Sequence, residues 1–263
     1  MNAHFAITAR QREIADLVQS HGFASVEALS ARFDVTTQTI RRDLGRLCSL
    51  GVLRRTHGGV EPPAETGNLH YSRRRILNLP AKDAIAAEVA RHVPNGASLA
   101  FSIGTTPEIV MQALAHHHGL RVLTNNLHVA FTASQNDDFE VSIAGGRLRH
   151  GDRDILGPDT QAFFSAYKVD IGVFGVAGVD EDGTLLDFHE EEVAARQAIL
   201  ANCRNAFLVL DASKFGRRAH VRGGHIADVD HIFCDQPLPG PLSERVAAAG
   251  GRFILCSGEE NPS

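Results

Sequence analysis

No apolar run in the sequence reaches the roughly 18 residues that a membrane-crossing helix requires, so no membrane partner is expected. The opening Met-Asn-Ala-His-Phe-Ala-Ile-Thr-Ala-Arg also lacks the charged start and long apolar core of a secretory leader. Cysteine is sparse, and Cys48, Cys203, Cys234 and Cys256 form no Cys-x-x-Cys pair. That scatter argues against a disulfide framework or zinc site and for small apolar filling in a reducing cytoplasm. Adjacent His116, His117 and His118 lack the i, i+4 step that aims two imidazoles at one ion, and read as a helix end. Asp180-Glu181-Asp182-Gly183 lacks the alternating ligands of a calcium loop and reads as a β-turn. Neither a metal nor a cofactor is expected.

Lysine is missing from the first sixty residues, which carry eight Arg against five acids, a balance of +3. Residues 61–263 carry eighteen basic and twenty-six acidic side chains, a balance of −8, so the net −5 hides an asymmetry. A basic head on an acidic body signals two jobs, and 263 residues suffice for two domains.

The head shows three short helical patterns. Ile14, Leu17 and Val18 form one apolar stripe, which Gly22 ends. Ser25 is placed to cap a second helix with Ala28, Leu29 and Phe33 inward, and Asp34-Val35 turn the chain. Thr36 caps a third helix that buries Ile40, Leu44 and Leu47. Two short helices across such a turn are a helix-turn-helix. The third helix turns Thr37, Gln38, Thr39, Arg41, Arg42 and Arg46 outward, groups suited to base edges and phosphates. Val52 to Val60 then reads as a short strand with a basic, glycine-ended tip, a wing on phosphates. Thr36 to Thr39, Arg41, Arg42, Arg46, Arg55 and His57 are therefore candidate contacts to double-stranded DNA.

Gln38-Thr39-Ile40-Arg41-Arg42-Asp43-Leu44, with Leu47, Gly51 and Arg55-x-His57-Gly58-Gly59, resembles the signature of DeoR-type bacterial repressors. Thr37 stands where such repressors often carry Pro, which is favoured but not required at a first helical position.

Domain boundaries read as a winged helix-turn-helix domain over 1–60, a linker over 61–75 and a sensor-like body over 76–263. The linker holds Pro62-Pro63, and Arg73-Arg74-Arg75 reads as a solvated helix start. In the body a helix over 82–93 precedes strands near 98–103, 120–124, 139–144, 169–176, 206–210, 231–234 and 252–256. Helices are expected over 107–117, from about 127 and after His189. Apolar strands alternating with helices imply a mostly parallel sheet covered on both faces, with ligands beyond the strands' carboxyl ends.

Polar residues gather at those ends. Ser102, Gly104, Thr105 and Thr106 follow one strand, Asn125 and Asn126 the next, and Gly145 and Gly146 a third. Asp180 and Lys214 follow two more, and the whole set suits a small phosphorylated ligand. Ile103-Gly104-Thr105-Thr106-Pro107-Glu108, Thr124-Asn125-Asn126-Leu127, Ala144-Gly145-Gly146-x-Leu148-Arg149 and Asp211-x-Ser213-Lys214-Phe215-Gly216-Arg217 carry the family resemblance through the body. They are most similar to the members that govern glycerol 3-phosphate use. The resemblance implies an all-α winged helix-turn-helix head and an α/β sensor domain related to ribose-5-phosphate isomerase and glucosamine-6-phosphate deaminase. It also implies a cytoplasmic homo-oligomer (dimer or tetramer) that leaves its operator when sn-glycerol 3-phosphate binds. Two positions depart from the family: Ser102 stands where Asp is frequent, and Arg196 where Lys is common. Another phosphorylated sugar stays open as effector. So does an isomerase or deaminase reading, in which Asp180, Asp187 or Glu192 would serve as base.

Overall fold

The computed structural model describes residues 7–62 and 71–257, and the chain divides into two units, Met1–Leu79 and Pro80–Ser263. In the first, helix α1 (Ala9–His21) opens on a capping box. The Thr8 hydroxyl accepts from the Gln11 amide at 3.2 Å, and the Gln11 side chain accepts from the Thr8 amide at 3.1 Å. Gly22, at φ 77°, ends the helix in the left-handed region open to glycine. Strand β1 (Ala24–Ser25) leads into α2 (Val26–Phe33), capped by the Ser25 hydroxyl on the Ala28 amide at 3.1 Å. Asp34, at φ 49°, turns the chain, and Thr36 caps α3 (Thr37–Ser49). Ile14, Val18, Leu29, Ile40, Leu44 and Leu47 close one core between the three helices. Ala28 is exposed rather than inward: Leu29 is the buried residue of α2, with Val26 and Phe33 packed at the margin of that core.

The expected single strand of the wing is a hairpin of β2 (Arg54–Thr56) and β3 (Gly59–Glu61), with β1 pairing on the other side of β3. Val52 and Leu53 drop instead into the helical core. Gly58 takes φ 79° in the turn, and a Cβ on Gly59 would lie 2.2 Å from the Ala24 carbonyl oxygen. Within the segment expected as a linker, helix α4 (Tyr71–Ile76) belongs to the first unit, and Ile76 and Leu77 complete its core. Arg73 is buried rather than solvated and donates to the Gln19 side chain at 3.4 Å. Pro63 to Thr66 lie outside the described residues.

The second unit opens with α5 (Leu79–His92), then alternates β4 (Ser98–Phe101), α6 (Thr105–Ala113), β5 (Arg121–Thr124), α7 (Leu127–Ala133) and β6 (Glu140–Ile143). A hairpin of β7 (Leu148–Arg149) and β8 (Asp154–Ile155) follows, then α8 (Pro158–Ser165) and β9 (Val169–Phe174). Beyond them lie β10 (Gly178–Val179), β11 (Thr184–Asp187), α9 (Glu190–Ala201) and β12 (Cys203–Val209). The unit closes with β13 (Val221–His225), β14 (His231–Cys234), α10 (Gly240–Ala248) and β15 (Arg252–Leu255). Seven strands in the order β15-β14-β12-β9-β4-β5-β6 form one wholly parallel sheet. The chain builds outward from β4 to β6 and then returns to the other side of β4, so the order reverses between β4 and β9. Strands β10, β11 and β13 make a separate antiparallel ribbon that simple strand–helix alternation does not indicate.

Helix α6 ends at Ala113 rather than 117, leaving the histidine triplet outside it. His117 Nε2 instead lies 3.2 and 3.0 Å from the Ala90 and Val93 carbonyl oxygens, capping the end of the preceding helix. Burial pushes the Cys234 and Cys256 thiols up to about 12, which keeps them protonated.

Two glycines of the head differ in what they permit. A Cβ on Gly45, in mid-α3, meets only the Arg55 Nη2 at 3.6 Å, an ordinary contact. We expect Gly45→Ala to stabilise the head by about 0.5–1 kcal/mol through helix propensity. Gly59→Ala should cost about 1–3 kcal/mol by overpacking against β1. Amide exchange in α1 and α3 of the full chain measures both, and equal effects would refute the distinction.

Candidate functional site

The head presents one basic face. Thr36 and Thr39 spend their hydroxyls on the cap: Thr36 Oγ1 accepts from the Thr39 amide at 3.2 Å and lies 2.9 Å from Thr39 Oγ1. Gln38, Arg41 and Arg42 project from the exposed side of α3, Thr37 and Arg46 are half-buried, and His57 is exposed at the wing turn. Arg55, expected at phosphates, is exposed but lies across α3 beside Gly45 and Cys48. Asp43, between Arg42 and Leu44, faces inward. It accepts from Arg10 Nε at 2.7 Å and Gln11 Nε2 at 2.8 Å, which fixes α3 against α1.

In the body the reversal between β4 and β9 is where an open parallel sheet leaves a crevice. Ser102 to Thr106 follow β4 there, with Gly104 at φ 128° as the N-cap of α6 and no side chain hydrogen-bonded in the cap. Next to it, the Thr124 hydroxyl donates to the Phe101 carbonyl at 3.0 Å and accepts from the Asn126 amide at 3.0 Å. Asn126 Oδ1 caps α7, accepting from the His128 amide at 2.9 Å. Asn125 Nδ2 donates to the Ile155 carbonyl at 2.8 Å, while its Oδ1 is buried without a partner. Gly145 is open, and Gly146 takes φ 137° with Ile155 pressed against it. Asp211 caps a single turn ending at Lys214, accepting from the Ser213 amide at 3.2 Å. The rim thus gathers the residues following β4, β5, β6 and β12.

Asp180 is not among them. It lies in an exposed turn closed by the Gly183 amide on its carbonyl at 2.9 Å, beside Phe215, Gly216 and Leu242. The reason is that Gly178-Val179 begin the antiparallel ribbon rather than extending β9.

Sequence reasoning missed the buried ion pairs beside the rim. Arg149 bonds Asp154 twice, at 2.9 and 2.6 Å, and Glu192 at 2.6 Å, with Asp152 at 3.1 Å. One guanidinium is shared by three carboxylates. Burial therefore lifts Asp154 and Glu192 above the usual carboxylate range, although Arg149 pulls both the other way. Arg196 makes a tighter arrangement: it pairs with Asp187, donates to the Gly223 carbonyl at 2.9 Å and lies 5.9 Å from the Phe174 ring centroid. A Cβ on Gly223 would fall 1.9 Å from Arg196 Nη2, so only glycine leaves space there. Arg149 stood in a quoted motif but no spacing marked its partners, which lie 5 and 43 residues away.

A helix-turn-helix head on an α/β body with a polar switch-point rim defines a DNA-binding regulator. Residues 10–66 match the model of the DeoR-like helix-turn-helix domain, and residues 77–236 that of the DeoR C terminal sensor domain. The chain belongs to the DeoR family of transcriptional regulators. It is 43% identical over 249 residues to the glycerol-3-phosphate regulon repressor of Escherichia coli K12, covering 95% of this chain and 99% of that one. The Haemophilus influenzae protein of the same description is 42% identical over 250 residues, 95% of this chain and 97% of that one. The HTH-type transcriptional repressor CsqR of E. coli K12 is 34% identical over 94% of each chain. A solved D-ribose-5-phosphate isomerase aligns with a TM-score of 0.38 and 13% identity over 51% of this chain and 53% of that one, too loose a match to carry weight. Among the described residues no helix is long and apolar enough to cross a membrane.

The shared guanidinium makes a contrast testable. Arg149→Met should cost the body about 3–5 kcal/mol, because Asp154 and Glu192 stay buried without their cation. Glu192→Gln should be close to neutral, since it removes the carboxylate that burial disfavours. The pH dependence has a definite sign. A carboxyl raised on folding holds more protons folded than unfolded, so stability falls as pH rises between its ordinary and raised values. Urea unfolding at several pH values should show a shallower fall in Glu192→Gln than in wild type. A steeper fall would contradict the burial account.

Proposed function

We propose that this regulator is a repressor of glycerol 3-phosphate metabolism. Its head holds double-stranded operator DNA, and its body releases that DNA when sn-glycerol 3-phosphate occupies the rim. The observation that carries the reading is the 43% identity over 95% of the chain to the E. coli glycerol-3-phosphate regulon repressor. The rim chemistry supports it: Gly104, Thr105 and Thr106 open α6, whose N-terminal dipole favours a phosphate, and Lys214 adds a cation after β12. Gln38, Arg41 and Arg42 read the operator, with His57 on its backbone. A helix-turn-helix head occupies one half-site, so the working form is at least a dimer.

The alternative enzyme reading would need Asp180, Asp187 or Glu192 as a placed general base. Asp187 is engaged by Arg196 and the Ala177 amide, Glu192 by Arg149, and Asp180 lies out on its turn.

Gel-shift titration of operator DNA tests the reading. Arg41→Ala or Arg42→Ala should weaken binding by about 1–3 kcal/mol and relax specificity at the base each one reads. Lys214→Ala should keep operator affinity while making it indifferent to sn-glycerol 3-phosphate. Release by a different sugar phosphate, with none by millimolar sn-glycerol 3-phosphate, would overturn the effector and keep the class.

A further inference from the structure

The crevice between β4 and β9 runs past Gly175. The Ser102 amide donates to the Val173 carbonyl at 3.0 Å, so the two strands stay paired to their carboxyl ends. Two residues on, a Cβ placed on Gly175 would lie 3.7 Å from Pro107 Cδ, in the first turn of α6. It would lie 3.5 Å from the carbonyl oxygen of Val209, where β12 ends. Gly175 therefore stands between the opening turn of α6 and the strand that leads to Lys214. Both distances are ordinary contacts and its φ is not positive, so neither packing nor backbone demands a glycine there. Gly172 in the same strand is different: its Cβ would meet Ile199 at 2.8 Å and the Cys203 sulfur at 3.0 Å. The space over Gly175 is also reachable, since Ile103, Gly104, Gly175 and Ala177 are all half-buried.

A second cation is brought to the same place. Arg217 follows Lys214 by one turn, its amide donating to the Lys214 carbonyl at 3.3 Å. Arg217 Nη1 donates to the carbonyl of Ala177, two residues past Gly175, at 3.2 Å, and the guanidinium lies 5.5 Å from the Phe188 ring centroid. Its backbone is pinned as well, because a Cβ on Gly178 would fall 2.1 Å from the Arg217 carbonyl oxygen. Asp187, which accepts from the Ala177 amide at 3.0 Å, is paired with Arg196, so that carboxylate is already balanced.

We propose that Gly175 is the floor of the phosphate seat and that Arg217 is its second cation, beside Lys214. The ligand class is a phosphate monoester, close to dianionic at neutral pH, which two cations and the positive end of α6 match. The charge of Arg217 is what the seat uses, and the missing side chain at 175 is what gives the phosphate room. That a phosphate is sensed rests on the sensor reading above; the identity of the floor and of the second cation does not.

Calorimetry on the full chain, with sn-glycerol 3-phosphate and inorganic phosphate as the two probes, tests the seat. Gly175→Ala should bind both about tenfold more weakly or worse, because its methyl overfills the floor. It should nevertheless unfold in urea no earlier than wild type. Arg217→Gln should lose about tenfold to a hundredfold, the factor of one charged hydrogen bond, and Arg217→Lys should recover part of it by restoring the charge. Wild-type affinity in Gly175→Ala or in Arg217→Gln overturns the seat, as does a wild type that binds neither probe. Earlier unfolding of Gly175→Ala would mean that the space is not open, and the floor is then wrong. If wild type takes inorganic phosphate but not sn-glycerol 3-phosphate, the effector reading fails, and the variants still decide the seat.

Discussion

Seven strands running the same way place all their carboxyl ends on one rim, and the chemistry of the body depends on that constraint. Each helix that follows a strand begins at the rim, so α6 and α7 point their positive ends toward it. The reversal between β4 and β9 sends the loops after those strands apart and leaves the crevice between them. Gly104 allows the first loop to turn into α6, and the Thr124 hydroxyl ties the end of β5 to that of β4. A rim built from amide dipoles and hydroxyls suits an anion, but it lies in a body of net negative charge.

Two unlike pairings stand beside that rim. Arg196 and Asp187 are matched one to one, and the Gly223 carbonyl takes a further guanidinium proton. Every acceptor of that pair is fixed by β11 or β13, so it acts as a rigid strut. Arg149 is shared among Asp152, Asp154 and Glu192. An Arg at 196 preserves charge and adds the second donor that Gly223 uses, which a Lys could not do in the same geometry.

Local rules carried the head. Thr36, Ser25 and Gly22 signal helix ends through backbone geometry that a few neighbouring residues decide, so all three were legible. The parallel sheet was legible for the same reason, since its buried strands are near-continuous apolar runs. What escaped depends on distant partners. Strands of two residues, such as β7 and β8, have no periodicity to read, so their hairpin was reduced to Gly145-Gly146. Asp180 looked like a strand-end polar group, because nothing local says that Gly178-Val179 turn away antiparallel. Asn125 and Asn126 were recognised as polar rim residues. Their work as stitch and cap is set by Ile155 and by α7, which sequence distance conceals. Ile76 and Leu77 lie beyond two prolines, and their place in the head core follows only from three-dimensional packing.

That last point bears on coupling. A ligand changes DNA affinity only if it binds one arrangement of the protein better than another, so the joint between the units matters. A long polar linker would absorb any change in the body as slack. Here α4 ends at Ile76 inside the head unit and α5 begins at Leu79, with Leu77 buried and Asn78 at φ 55° between them. Arg73 is buried as well, so α4 is held as part of the head rather than free beside it. Leu77 and Asn78 are the only residues between the two helices. Loosening that joint, by glycines after Asn78, should leave operator binding and effector binding intact while reducing the factor by which one alters the other. Measuring both affinities with and without the second ligand isolates that factor, and an unchanged value would place the coupling elsewhere.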